Sequence, residues 1–267
     1  MLFSALFAIF ILPVIYIIDQ GVFSIPLVSA VFLIAVGILS FVAIFFYFKA
    51  LSYTEASMAI PFFQLIPIFG FLLGFALLGE TVQLKSIIAG LIIILGILVL
   101  SFATDSNKFI IFNNKVVLLM LASSFTYALY EVLFKLIAVK ATFWISLFWQ
   151  NVGLLLAGII LYIFIRTYRK EFHSLLIRNG KSILGLNFIN EALNTFGVGL
   201  VQYASLLVPV VLVLLVNSLQ PAIVFLMGIL LTLFLPKISR ENITKKALFQ
   251  KIVAIFIVMI GTYYLYF

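Results

Sequence analysis

Leu65-Ile66-Pro67-Ile68-Phe69-Gly70-Phe71-Leu72-Leu73-Gly74 returns 154 residues later as Leu219-Gln220-Pro221-Ala222-Ile223-Val224-Phe225-Leu226-Met227-Gly228. The Leu, Pro, Phe, Leu and Gly are kept in place, and the same shift carries Ala50 onto Ala204. After a longer connection the offset becomes 165 and pairs Ala89 with Ala254 and Gly96 with Gly261. Self-similarity at so long an offset marks a chain built from two copies of one unit.

Those copies consist almost entirely of apolar segments. Of the 267 residues, 66% are hydrophobic and 9% charged, with mean hydropathy +1.36. Unbroken apolar runs near 20 residues predict membrane-spanning helices, because only such lengths cross the hydrocarbon core. A membrane β-barrel would show alternating segments about ten residues long. Nine spans are expected, over 2–18, 28–48, 58–78, 86–103, 115–138, 143–165, 182–204, 208–234 and 248–267. The chain opens directly in apolar sequence without a basic leader, so the first span does not read as a signal peptide. The segment 166–181 reads as a basic loop lying along the headgroups.

Spans two, three and four repeat as seven, eight and nine, and span one matches span six. Matched spans lie five apart, an odd number, so the copies cross the membrane in opposite directions. This is the inverted-repeat plan of many secondary transporters. The copies are expected at 1–104 and 115–267. The fifth span has no mate in the first half, and the simplest account is a further span before Met1. The encoding locus should then hold an in-frame upstream segment for roughly 20 apolar residues.

A second stretch supplies the chemistry. Asn187, Asn190, Glu191 and Asn194 follow i, i+3, i+4, i+7 spacing and share one helix face at membrane depth. Polar groups there cost several kcal/mol if they face lipid, so they face protein or a watery cavity. Interhelical packing is the alternative to a solute path. Among eight acidic residues, only Glu131 and Glu191 lie clearly within spans. A carboxylate among apolar groups is a costly ion, which makes either a candidate carrier of a coupling proton. Glu131 shares a face with Tyr127 and Lys135, an arrangement that equally suits a local ion pair. Pro67 and Pro221 are candidate helix kinks that free the carbonyls of Phe63 and Asn217. Gln64, Asn217 and Gln220 beside them complete the expected path, with Trp149, Gln150 and Asn151 at its rim.

What the sequence lacks excludes other classes. No cysteine is present and the single His173 lies outside the spans, so no metal cluster or cofactor site is expected. No nucleophile motif, phosphate loop or acid–base pair of carboxylates suggests an enzyme. The net charge of +8 reads as a topology signal rather than a nucleic-acid surface. The expected partners are membrane lipids, a small-molecule solute and coupling protons, with a homodimer allowed.

Phe48-Lys-Ala-Leu-Ser-Tyr-Thr-Glu-Ala-Ser57, Ile60-Pro-Phe-Phe-Gln-Leu-Ile-Pro67, Leu77-Leu-Gly-Glu80 and Ile88-Ala-Gly-Leu-Ile-Ile-Ile-Leu-Gly96 form a continuous pattern. It resembles the EamA branch of the drug/metabolite transporter superfamily. The second half departs from it, with Phe234-Leu-Pro-Lys237 where a Gly-Glu turn would stand. The resemblance implies ten helices in two inverted five-helix repeats and alternating-access export of a small organic metabolite or drug, in a bacterial or archaeal inner membrane. A flippase for a lipid-linked substrate fits the same resemblance, and a non-transporting scaffold would not need the polar stripe.

Orientation sets two arguments against each other. Sorted by loop parity, 13 of the 16 Lys and Arg fall on the side where the chain begins. Short basic loops favour the cytoplasm, so the chain as written starts inside and ends outside. Ten-helix relatives instead keep both termini cytoplasmic. Following the charges, alkaline phosphatase fused after Phe267 should be active, and fluorescence from a cytoplasmic green reporter there would reverse the assignment.

Overall fold

In the computed structural model, residues 2–54, 59–102, 114–220, 223, 227, 234 and 245–266 are described. Among them the regular structure is helical, without a strand. The helices are α1 Leu2–Ile18, α2 Leu27–Leu51, α3 Ile66–Leu73, α4 Leu84–Phe102, α5 Asn114–Ala138, α6 Phe143–Phe164, α7 Arg166–Leu207, α8 Val210–Asn217 and α9 Lys245–Tyr266. A 3-10 turn covers Gln20–Phe23, another covers Ile60–Leu65, and a π turn covers Gly74–Leu78. Among the described residues three helices, α2, α5 and α6, are long and apolar enough to cross a membrane.

The burial pattern is that of a protein dissolved in lipid. Ile17, Leu27, Val28 and Phe164 are each more than three-quarters exposed, whereas Gln64, Glu131 and Gln202 are within 2% of complete burial. Apolar groups outside and polar groups inside would be unstable in water and are favourable in hydrocarbon. The chain is an integral membrane protein built of helices.

It forms two compact units, Met1–Phe46 with Thr126–Val208, and Tyr47–Phe125 with Pro209–Phe267. Each unit draws on both halves of the sequence. In the first, α6 is the central helix. It packs along α1, where Gly158 meets Ala5, and crosses α2 at a pair of glycines. A Cβ on Gly37 would strike the Gln150 carbonyl, and one on Gly153 would strike that of Ile34. Without those side chains the two backbones touch, which is how membrane helices gain packing energy when lipid offers no hydrophobic drive. Around this crossing Val36, Tyr130, Phe134 and Ala138 form one core, and Phe41, Ala157 and Leu161 another.

In the second unit, α4 and α9 make the most extensive helix pair, and its contacts are reciprocal. A Cβ on Gly96 would lie 3.1 Å from the Ala254 carbonyl oxygen and press on Val258. A Cβ on Gly261 would lie 3.1 Å from that of Ala89 and press on Ile93. Ala89 with Ala254, Ile93 with Val258, and Gly96 with Gly261 all differ by 165. Each glycine thus meets the alanine and the aliphatic residue whose offset mates meet the other glycine.

Three elements differ from expectation. The stretch 166–181 is helix rather than loop, the first part of the 42-residue α7. Its Arg, Lys, Glu and Leu are good helix formers, so nothing ends the helix where hydropathy falls. At 1.5 Å per residue, α7 is about 63 Å long, twice the hydrocarbon thickness. The reversal into it is made by Ile165 alone, the single non-helical residue after α6. Span three is not one α-helix: it passes from 3-10 through α to π. Span eight is seen from Val210, and the expected kink at Pro221 lies outside the described residues.

Gly153→Ala should cost about 1–3 kcal/mol, since no flexible side chain can yield to its Cβ. Gly197→Ala, whose Cβ meets nothing within 4 Å, should leave stability unchanged or raise it. Thermal melts of the two variants in one detergent decide; coincident curves would refute so close a crossing.

Candidate functional site

The first unit carries most of the interior polar chemistry. On α7, Glu191, Thr195, Val198 and Gln202 recur at helical spacing. Glu191 and Gln202 are buried, and Thr195 and Val198 between them are half-buried. The Ser4 hydroxyl of α1 donates to Glu191 Oε1 at 2.8 Å. Three turns further along, Gln202 Nε2 donates to Gln150 Oε1 of α6 at 2.9 Å, both residues buried. The second polar atom of the Gln202 amide, Oε1, has no hydrogen-bond partner among the described residues. A buried amide left half satisfied costs about 1–3 kcal/mol, so α7 holds chemistry that packing alone does not explain.

Glu131 on α5 is 1% exposed. Neither of its carboxylate oxygens meets a donor in hydrogen-bonding geometry among the described residues, and the Tyr130 hydroxyl is the polar group bearing on it. The Tyr127 and Tyr130 rings meet edge-on at 4.9 Å on the same helix. Lys135, one turn along, turns to the backbone: its ammonium donates to the Val208 carbonyl at 2.8 Å. Neither Glu131 oxygen accepts a hydrogen bond from it among the described residues. Its ammonium serves the carbonyl at the end of α7, where cations are favoured.

The four-residue stripe does not share one environment. Glu191 is buried, Asn187 half-buried, and Asn190 and Asn194 are exposed. Asn190 sits about 100° around the helix from Glu191, at the edge of any face that Glu191 centres. Trp149 is not a free rim residue: its indole donates to the Val22 carbonyl at 2.7 Å and its ring packs beside Ile15 and Phe148. Asn151 turns back onto the Leu147 carbonyl of its own helix at 2.8 Å.

In the second unit, Pro67 stands in the first turn of α3, where a missing N–H costs nothing. The break it marks is present, but the Phe63 carbonyl is not left free, since it accepts from the Ile66 amide; the neighbouring Phe62 carbonyl accepts from the Ser124 hydroxyl at 3.0 Å. Gln64 is buried, with Oε1 lacking a partner among the described residues, whereas Asn217 is half-buried and Gln220 exposed. Pro67, Phe71, Gly90, Ile94, Val211 and Leu215 line a cleft of about 120 Å³ whose only polar lining residue is Ser86. Pro67 thus faces apolar space.

The helices and their inside-out burial are those of a membrane protein, and comparison with known proteins bears on the fold and on the first part of the chain. Residues 1–102 match the EamA-like transporter family. The resemblance read from the first-half motifs is borne out over that segment. No curated protein matches the chain. A crystal structure of a protein at 17% sequence identity covers 99% of this chain and 86% of its own, with TM-score 0.65. That similarity speaks for the fold alone. Within the EamA-matching segment lie Ser4, Gln64, Pro67 and Glu80; Glu131, Gln150, Glu191 and Gln202 lie beyond it.

Sequence reasoning passed over Ser4 and Gln202. Gln202 was detectable: it stands 11 residues after Glu191, three helical turns along the same face. Ser4 carried no signal, because a lone serine in an apolar span is usually bonded to its own helix. Gln150→Leu and Gln202→Leu should each destabilise by about 1–3 kcal/mol, because each leaves its partner buried and unsatisfied. The double variant should lose less than the sum by roughly 1 kcal/mol. Strictly additive unfolding energies would show that the two amides do not depend on each other.

Proposed function

We propose that this chain is a secondary transporter of the drug/metabolite type, moving a small organic solute by alternating access between two inverted copies, 1–104 and 115–267. The observation that carries the proposal is the set of buried polar side chains at membrane depth: Glu131, Gln150, Glu191 and Gln202, in a protein whose outer surface is apolar. An intramembrane carboxylate is expensive and is kept where it does work. The EamA match over 1–102 supports the class, and the reciprocal Gly96 and Gly261 contacts support the two-copy reading.

The interior offers acceptors in excess. Both Glu131 oxygens and Gln202 Oε1 await donors among the described residues. Such a lining favours a solute bearing N–H donors, an amine or ammonium, over a carboxylate or phosphate, since donor-poor anions would leave these groups unsatisfied. Glu191 is the proposed carrier of a coupling proton. Export is the proposed direction.

Purified protein in liposomes, offered a panel of amines, amino acids, nucleobases and organic acids, tests the reading. Accumulation of donor-bearing cations is expected, and flux of organic acids alone would overturn the solute class. Glu191→Gln keeps an oxygen to accept from Ser4, so it should fold and insert while losing pH-driven flux. Unchanged pH dependence in that variant would remove Glu191 from the proton path.

A further inference from the structure

The backbone breaks at Pro209, between α7 and α8, and the break leaves two peptide groups to be served. Leu212 donates to the Pro209 carbonyl, so neither the Val208 carbonyl nor the Val210 amide takes part in that first bond of α8. Pro209, the cap residue, has no side-chain oxygen to offer the new helix. The Val208 carbonyl is served within its own unit by Lys135. Within the other unit, Glu80 Oε2 accepts from the Val210 N–H at 2.8 Å.

Glu80 reaches that amide through a local fold with few alternatives. The π turn Gly74–Leu78 ends at Gly79, whose φ of 66° is the only left-handed value among the described residues. Glycine takes that conformation without strain. The Glu80 amide then returns to the Gly74 carbonyl at 3.1 Å, which turns its side chain back along the end of the span. A Cβ on Gly74 would stand 3.0 Å from Glu80 Oε2, so Gly74 leaves the carboxylate its room. An anion on the first amide of a helix is doubly favoured, by a charge-assisted hydrogen bond and by the helix dipole.

We propose that Glu80 is a positioning residue that caps α8 from a distant part of the chain and so sets how Asn217 is presented. α8 has only 8 residues, from the clamped Val210 to Asn217, and Leu214 at its middle fits the space that Gly70 leaves on α3. A helix held at its start and middle has a fixed end. The matching position in the second copy is Phe234, so that copy brings no carboxylate there and the cap is one-sided. The link from Glu80 to solute handling rests on the transporter reading; the cap itself does not.

Backbone hydrogen exchange over 210–213 tests the cap in protein held in lipid nanodiscs. Glu80→Ala should exchange roughly tenfold faster there, with the amides of α1 and α6 unchanged. Glu80→Gln, which keeps an acceptor oxygen, should restore most of the protection. Gly74→Ala leaves the carboxylate intact but pushes it aside, and should copy Glu80→Ala. If Glu80→Ala loosens the whole protein, Gly74→Ala decides alone. Wild-type exchange at 210–213 in Gly74→Ala, or in a folded Glu80→Ala, overturns the proposal. In liposomes Glu80→Ala should raise the solute KM several-fold with a smaller change in maximal rate, and Glu80→Gln should recover it. Absence of flux in the wild-type protein would sink the transporter reading and leave the exchange result standing.

Discussion

Inside a bilayer no water is available to a peptide group that leaves its helix, so the protein must supply every partner itself. The described breaks in this chain obey that constraint with side chains of matched character. The hydroxyl of Ser124 takes the Phe62 carbonyl, the ammonium of Lys135 takes the Val208 carbonyl, and the carboxylate of Glu80 takes the Val210 amide. The Trp149 indole does the same for the 3-10 turn after α1, at the Val22 carbonyl. Lys135 and Trp149, which look like candidates for solute chemistry when read as isolated polar groups, here serve backbone carbonyls at the breaks between helices.

Close approach of backbones is the second consequence of a lipid solvent. Leucine gains nothing from leaving lipid for another leucine, so helices associate where small residues let many atoms touch. Gly37 with Gly153 does this in the first unit, and Gly96 against Ala254 and Gly261 against Ala89 do it in the second. The second set is reciprocal, since the two alanines lie 165 residues apart, as do the two glycines.

The polar interior follows a different logic. Glu131, Gln150, Glu191 and Gln202 lie on three helices of one unit, and two side-chain bonds join helices there, Ser4 to Glu191 and Gln202 to Gln150. Packing glue would saturate its own donors and acceptors, since each unsatisfied group weakens the fold. Gln202 Oε1 has no hydrogen-bond partner among the described residues, and the Tyr130 hydroxyl is the polar group bearing on Glu131. Natural proteins break local rules of this kind mainly where function requires it.

Composition and periodicity alone determined that this is a helical membrane protein, where most of its described helices run, and that Pro67 stands at a break in one apolar segment. Those properties depend on hydropathy over about 20 residues and on local backbone chemistry, both of which are written along the chain. The matched positions of Gly96 and Gly261 were legible as well, as a constant offset, but not that each meets an alanine of the facing helix. Tertiary structure alone decided that Glu191 is buried while Asn190 and Asn194 are exposed, that Lys135 donates to the Val208 carbonyl, and that Glu80 accepts from a helix amide 130 residues away. A helical face can be read from spacing, but what covers that face depends on which helix is packed against it. A backbone break can likewise be read from a proline, whereas the side chain that satisfies it comes from wherever the fold brings one within 3 Å.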